Sequence, residues 1–185
     1  MSEVLTRLNG PWHKRAMYIF LAIVLAHWVE HLSQAAEIFI LGWPRPQSGG
    51  FLGLLFPVLV SSEGLHYFYA VVMLIGLAAL LPGCRGRAKT WWTVALGIQV
   101  WHHFEHLLLL GQALTHLNLF GAAVPTSILQ LVFSRVELHL FYNAVVFTPM
   151  LVAMWYHLHP TSTEADMAVC GCALHHAPEA MPTAA

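Results

Sequence analysis

Four long stretches of the chain are almost purely apolar, and polar segments separate them. The apolar stretches cover residues 16–42, 62–82, 91–114 and 127–157. A helix of about 20 residues, rising 1.5 Å per residue, crosses the ~30 Å hydrocarbon core of a membrane. The pattern therefore predicts an all-α integral membrane protein with four transmembrane helices.

The remaining segments are polar or are broken by proline and glycine. Residues 1–15 form a polar head, residues 83–90 a basic loop, and residues 160–185 a small, polar tail that we expect to be flexible. Residues 51–60 are apolar but too short to cross a membrane by themselves. They are therefore interfacial, re-entrant or part of the second transmembrane helix.

Positive charge sets the expected orientation. Lys14 and Arg15 precede the first apolar stretch, and Arg85, Arg87 and Lys89 lie between the second and the third. Cytoplasmic loops of membrane proteins carry an excess of Lys and Arg. We therefore expect a protein of the plasma (inner) membrane whose basic loop and both termini are cytoplasmic.

The composition agrees with this class of protein. Of the 185 residues, 58% are hydrophobic and 9% are charged, whereas soluble domains carry about 25% charged residues. A net charge of -1 gives no basis for binding nucleic acid. The expected partners are membrane lipid, a second copy of the chain, and a redox partner or larger membrane complex.

Two short motifs occur twice, in the same order and at nearly the same spacing. The first has the form His-x-x-Glu-His-Leu and the second the form Leu-His-x-Phe-Tyr. The first motif lies at residues 27–32 and 102–107, and the second at residues 65–69 and 138–142. The repetition predicts a four-helix transmembrane bundle built from a tandem duplication of a helical hairpin, with the hairpins at residues 16–82 and 91–159.

The motifs are predicted to lie at one depth in the membrane. His31 and His106 lie about 22 Å from the cytoplasmic start of their helices, by the rise of an α-helix. His66 and His139 lie about 24 and 27 Å from the cytoplasmic ends of theirs. The four helices therefore bring their motifs to one layer in the outer half of the membrane.

Six imidazoles and two carboxylates reach this layer. Ionisable side chains at such depth are costly and mark functional sites, and mixed imidazole and carboxylate ligands suit Fe, Zn or Cu. We expect one or two transition-metal ions there. Tyr69 and Tyr142 share a helix face with the histidines three residues before them, and they are candidate catalytic donors of protons or electrons. The candidate metal ligands are His27, Glu30, His31, His66, His102, Glu105, His106 and His139.

Other interpretations of the same residues stay open. The His and Glu side chains could join helices by hydrogen bonds alone. Haem is less favoured, because histidines at i and i+4 chelate one ion more naturally than they sandwich a porphyrin.

A metal-dependent oxidoreductase acting on a lipophilic substrate or on O2 is the leading functional hypothesis. Transition-metal transport or sensing, or a structural role in a larger complex, are the alternatives. The tail string with Cys170, Cys172, His175 and His176 is typical of a soft-metal site, and it favours metal handling.

Overall fold

The computed structural model describes residues 2–174, which form helices and connecting turns with no strand among them. The prediction of an all-helical chain is confirmed. In chain order the helices are α1 (Glu3–Leu8), α2 (His13–Phe39), α3 (Gly50–Leu55), α4 (Pro57–Val60), α5 (Glu63–Leu80), α6 (Gly86–Thr115), α7 (Arg135–Leu158), α8 (Ser162–Asp166) and α9 (Gly171–Leu174).

Among the described residues, three helices are long and apolar enough to cross a membrane: α2, α5 with the turn that follows it, and α7. Helix α6 is longer, at 30 residues, but Gln99 and the polar residues of 102–106 interrupt its apolar sequence. Large apolar side chains such as Ile19, Phe39 and Ile75 face outward with more than half of their surface exposed, as expected of a surface that contacts lipid. These three helices are consistent with a membrane protein, and the fourth crossing stays a prediction.

The short apolar segment 51–60 is separate from α5. It forms α3 and α4, and Ser62 then starts α5 as an N-cap, its hydroxyl accepting a hydrogen bond from the backbone N–H of Leu65 (3.1 Å). Helix α3 packs along α2, where the backbone N–H of Leu52 donates to the carboxylate of Glu30 (3.0 Å). The segment therefore covers one side of α2.

Two other segments differ from the sequence-based expectation. Helix α7 begins at Arg135 and not at residue 127, because the backbone N–H of Ser127 donates to Oε1 of Gln130 (3.0 Å) and stabilises a turn there. Within the described part of the tail, residues 160–174, the chain forms α8 and α9. Glu164 of α8 pairs with Arg87 at the start of α6 (2.8 Å), which holds this segment against the long helices.

The long helices enclose one apolar core in the half of the molecule nearest the termini. Helix α6 packs against α5 and α7, and α2 packs against the same two helices. Trp92 of α6 is fully buried, and its indole N–H donates to the backbone oxygen of Leu77 (2.7 Å). Gly76 lets α5 approach α2 closely, since a Cβ there would clash with the ring of Phe20. This core fixes the helices relative to one another, so that their polar faces meet beyond it.

Candidate metal centre

Six of the predicted ligands meet beyond the apolar core, in what we call the deep histidine cluster. Its members are His27, His31, His66, His102, His106 and His139. The ring of His139 lies at the centre, with its centroid 5.2–5.9 Å from the centroids of four of the other rings. The sixth ring, that of His27, lies 4.5 Å from that of His31. Imidazoles from α2, α5, α6 and α7 therefore form one contiguous group.

Two pairs within the cluster have the same geometry. The Nε2 atoms of His27 and His31 are 3.2 Å apart on α2, and those of His102 and His106 are 3.2 Å apart on α6. Two nitrogens bound at about 2.0–2.1 Å to one tetrahedral ion lie about 3.3–3.4 Å apart. The Nε2–Nε2 distance in each pair is therefore close to the distance expected when both nitrogens bind one ion.

Hydrogen bonds orient two further rings. Nδ1 of His66 lies 3.0 Å from the carbonyl oxygen of Ser62, and Nδ1 of His139 lies 2.8 Å from that of Arg135. A carbonyl oxygen only accepts, so Nδ1 carries the proton in both rings and Nε2 keeps its lone pair for an ion. Nε2 of His139 is buried and has no hydrogen-bond partner in the described part of the chain.

Each candidate catalytic tyrosine stacks on a histidine of the cluster. The rings of Tyr69 and His27 have centroids 4.7 Å apart and an interplanar angle of 30°. The rings of Tyr142 and His102 have centroids 4.2 Å apart and an angle of 27°. The hydroxyl of Tyr142 accepts a hydrogen bond from the indole of Trp101 (2.7 Å). Both tyrosines are thus in direct contact with candidate ligands.

The two predicted carboxylates have different surroundings. Glu105 is buried, its Oε2 lies 3.8 Å from Nδ1 of His102, and neither of its oxygens has a hydrogen-bond partner of normal geometry among the described residues. Glu30 instead contacts the backbone N–H of Leu52 with both oxygens (3.0 and 3.1 Å). A buried unpaired carboxylate is costly, so Glu105 is the carboxylate placed to meet a cation. Glu30 stabilises the first turn of α3.

A small internal cavity of about 20 Å³ lies within the cluster. A volume of about 10–15 Å³ is enough for one water molecule, so the cavity has room for one ion or one small ligand. Two tyrosines and four histidines are among its lining residues: Tyr69, Tyr142, His27, His66, His102 and His106.

A wider cavity, which we call the vestibule, reaches the cluster from the end of the helices opposite the termini. Its volume is about 620 Å³, and His31, His66 and His139 form part of its wall. Arg135 also lines it and pairs with both carboxylate oxygens of Glu63 (Nη2 to Oε2, 2.7 Å). The vestibule gives an ion or small molecule a path to three histidines of the cluster.

A second group of ligand-type side chains lies at the end nearest the termini, and we call it the terminal cluster. Its members are all buried: His13, Cys84, His157, Cys170 and Cys172. The sequence pattern indicates only the two tail cysteines, and the tail histidines His175 and His176 lie outside the described residues. The other three members lie where a long helix starts or ends. Counting the position of each residue along its helix could therefore have predicted that they lie at the same end of the molecule. These buried His and Cys groups could hold a metal ion.

The two clusters differ in chemistry. Imidazole with carboxylate suits Fe, Zn or Cu, whereas thiolate with imidazole selects softer ions such as Zn²⁺ or Cu⁺.

Comparison with protein-family models, with curated proteins and with solved structures finds no match for this chain.

Proposed function

We propose that the chain is an integral membrane metalloprotein whose deep histidine cluster binds one or two transition-metal ions. We further propose that it is an oxidoreductase acting on a lipophilic substrate or on O2. The observation that supports this best is the internal cavity, which four imidazoles and two tyrosine rings line. Helix-joining hydrogen bonds require neither such a cavity nor a buried imidazole nitrogen without a partner.

A four-helix transmembrane bundle from a duplicated hairpin is part of the proposal, with α6 as the fourth crossing. Matched contacts support it, because the histidine pair and the stacked tyrosine of the first half each have an equivalent in the second. The buried polar residues Gln99, Glu105 and His106 of α6 are shielded from lipid. Basic residues near the termini support a cytoplasmic placement of that end in the plasma (inner) membrane.

The residues have distinct roles in this proposal. A bound redox-active ion would supply the one-electron or O2 chemistry. The histidines hold the ion, and His66 and His139 are oriented for this by their Nδ1 hydrogen bonds. The hydroxyl of Tyr142 accepts from the indole of Trp101, which leaves its own O–H to donate at the cavity wall, where the carboxylate of Glu105 is a neighbour. The vestibule admits the oxidant or a small substrate.

Metal analysis and redox titration of the purified full-length protein in lipid nanodiscs test this proposal. We expect one or two redox-active ions per chain with a reversible transition, lost in His102→Gln and retained in His103→Gln. His103 is a matched control, because it is adjacent on α6 but packs against Tyr67 (ring centroids 5.3 Å) outside the cluster. Wild-type protein that binds no metal, together with two variants of unaltered stability, would contradict a metal site in the deep histidine cluster. Stoichiometric zinc without a redox transition would contradict the oxidoreductase.

Transition-metal transport is the second candidate function. The vestibule at one end and the terminal cluster at the other favour it. The packed core between them, with Met17, Leu77, Trp92 and Met150 almost fully buried, opposes a continuous path. Metal flux into proteoliposomes that His139→Gln abolishes would support transport, and the absence of flux alongside a redox-active ion would favour the enzyme.

A further inference from the structure

The terminal cluster is assembled from four separate parts of the chain. His13 begins α2, Cys84 follows the turn after α5, His157 lies in the last turn of α7, and Cys170 and Cys172 flank the start of α9. All five side chains are at most 6% exposed. Every cysteine of the chain therefore lies in this one cluster.

The ligand atoms are within range of a common ion. Two groups of three, each with ligand atoms within 4.8 Å of one another, share His157: one adds His13 and Cys84, and the other adds Cys170 and Cys172. Nε2 of His157 is 3.2 Å from Sγ of Cys170. Ligand atoms of a tetrahedral site with Zn–N of 2.0–2.1 Å and Zn–S of 2.3 Å are about 3.3–3.8 Å apart. The ligand atoms of the terminal cluster would therefore need to move only slightly closer together to bind one ion.

The surrounding structure accommodates the cluster closely. Gly83 leaves space for the imidazole of His13, with which any Cβ at that position would clash. The side chain of Glu164 pairs with Arg87 and closes a capping box with Thr161 at the start of α8. The charge of Arg87 and these hydrogen bonds hold the pKa of Glu164 well below its usual range, so the contact that brings the tail back persists at neutral pH.

One member of the cluster is fully buried without a hydrogen bond of normal geometry. His13 is 0% exposed, and neither of its ring nitrogens makes a hydrogen bond of normal geometry within residues 2–174. Its ring centroid is 4.9 Å from that of His157. Buried polar atoms are almost always hydrogen-bonded, so an imidazole aimed into a group of thiols indicates a ligand that the protein atoms do not supply.

The thiols are also unequal in their protonation. The pKa of Cys170 lies well below its usual value, because the thiol of Cys172 and the ring of His157 hydrogen-bond to its sulfur. The pKa of Cys172 is raised in return, since it keeps the shared proton. Burial raises the pKa of Cys84 to about 12. One thiolate beside further buried ligand groups is a suitable starting point for binding a soft cation.

We propose that the terminal cluster is a second metal site, which binds one Zn²⁺ or Cu⁺ ion through His157, Cys170 and Cys172, with His13 or Cys84 as the fourth ligand. Four protein ligands leave no open position, which is the pattern of structural and storage sites. The ion fastens the tail to the ends of α2 and α7. The site is independent of the deep histidine cluster, because His13 and His31 are separated by about 27 Å along α2.

Cobalt substitution in the full-length protein tests the proposal. We expect one Co²⁺ with thiolate-to-metal charge-transfer absorption, which can come only from this cluster because no other cysteine exists. Cys170→Ser combined with Cys172→Ser should abolish that absorption. His106→Gln in the deep cluster should leave it unchanged, and so should His159→Gln, which removes an exposed histidine next to the cluster. Folded wild-type protein without the absorption would overturn the proposal, as would a double variant that retains it.

Alkylation of the wild-type protein gives a readout that needs no variant. Stoichiometric Zn²⁺ or Cu⁺ should slow the reaction of Cys170 and Cys172 with iodoacetamide at least tenfold, and a chelator should restore the rate. Protection by Zn²⁺ alone or by Cu⁺ alone identifies the ion. The reaction is run in mild denaturant, because both thiols are buried in the folded protein; equal alkylation rates there with and without both metals would overturn the proposal.

Discussion

The two glutamates of the repeated motif should respond oppositely to the same substitution. Sequence alone makes Glu30 and Glu105 equivalent, since both follow a histidine by three residues. In the structure Glu30 accepts the backbone N–H of Leu52, whereas Glu105 is buried beside the histidines with neither oxygen hydrogen-bonded among the described residues. We therefore predict that Glu30→Gln affects stability and Glu105→Gln affects metal binding.

The expected loss at Glu30 follows from its contact with α3. A hydrogen bond to a charged group contributes about 1.5–3 kcal/mol and a neutral one about 0.5–1.5 kcal/mol. A carboxylate near the first turn of a helix adds about 0.3–1 kcal/mol. The glutamine oxygen can still accept from Leu52, so Glu30→Gln should cost about 1–2 kcal/mol of unfolding free energy and leave metal affinity unchanged.

The expected effect at Glu105 has the opposite character. Glutamine has nearly the same shape, and it replaces a buried carboxylate that has a long contact to His102 but no hydrogen bond of normal geometry, so the stability of the metal-free protein should change little. Metal affinity should fall at least tenfold, because even changes to groups that only orient a ligand cost about 10- to 100-fold.

Denaturant titration in mixed micelles measures the free energy of unfolding of the metal-free variants, and competition with a chromogenic chelator measures metal affinity. The assignment of the two roles would be refuted if Glu30→Gln lost metal at unchanged stability. It would be refuted equally if Glu105→Gln destabilised the metal-free protein and bound metal as the wild type does.

Three further predictions concern packing, charge and proton transfer. Gly76→Ala should destabilise the protein by about 1–3 kcal/mol through overpacking against α2, whereas Gly97→Ala on α6, where a Cβ meets no atom within 4 Å, should be neutral or stabilising in the same unfolding assay. Arg135→Gln should cost about 1–3 kcal/mol because it leaves buried Glu63 unpaired, and Glu63→Gln added to it should recover most of that loss; strict additivity of the two single changes would argue against the ion pair. Tyr142→Phe should lower the single-turnover rate of O2 reduction about 10²-fold or more, the contribution of a positioned proton donor, at unchanged metal content, and a wild-type rate would exclude the hydroxyl from the reaction.

Much of the deep histidine cluster can be predicted from the sequence, because two regular features of α-helices determine which histidines lie together. Histidines at i and i+4 must share a face, and a fixed rise per residue converts positions such as His66 and His139 into depths. The structure brings these two rings within 5.7 Å of each other. The all-helical class and the presence of helices long and apolar enough to cross a membrane follow similarly from apolar length.

Other features depend on contacts between distant segments and have no local signal. Glu30 points to α3, and no spacing rule predicts that this short helix docks on α2. His13 belongs to a basic stretch typical of a solvated head, and His157 lies at a helix end where interfacial solvation is the simpler expectation. They meet Cys170 because the tail folds back onto the long helices, where α9 packs on α2 and α7 and Glu164 pairs with Arg87.

X-ray absorption at the metal K-edge tests the central claim most directly. The protein with Cys84→Ser, Cys170→Ser and Cys172→Ser, loaded with a stoichiometric first-row metal, should show only nitrogen and oxygen ligands at about 2.0–2.1 Å with the outer-shell pattern of several imidazoles. Wild-type protein should show the same shell together with sulfur at about 2.3 Å. A spectrum of the hydrated ion, or a triple variant that retains no metal after desalting, would contradict a metal site in the deep histidine cluster.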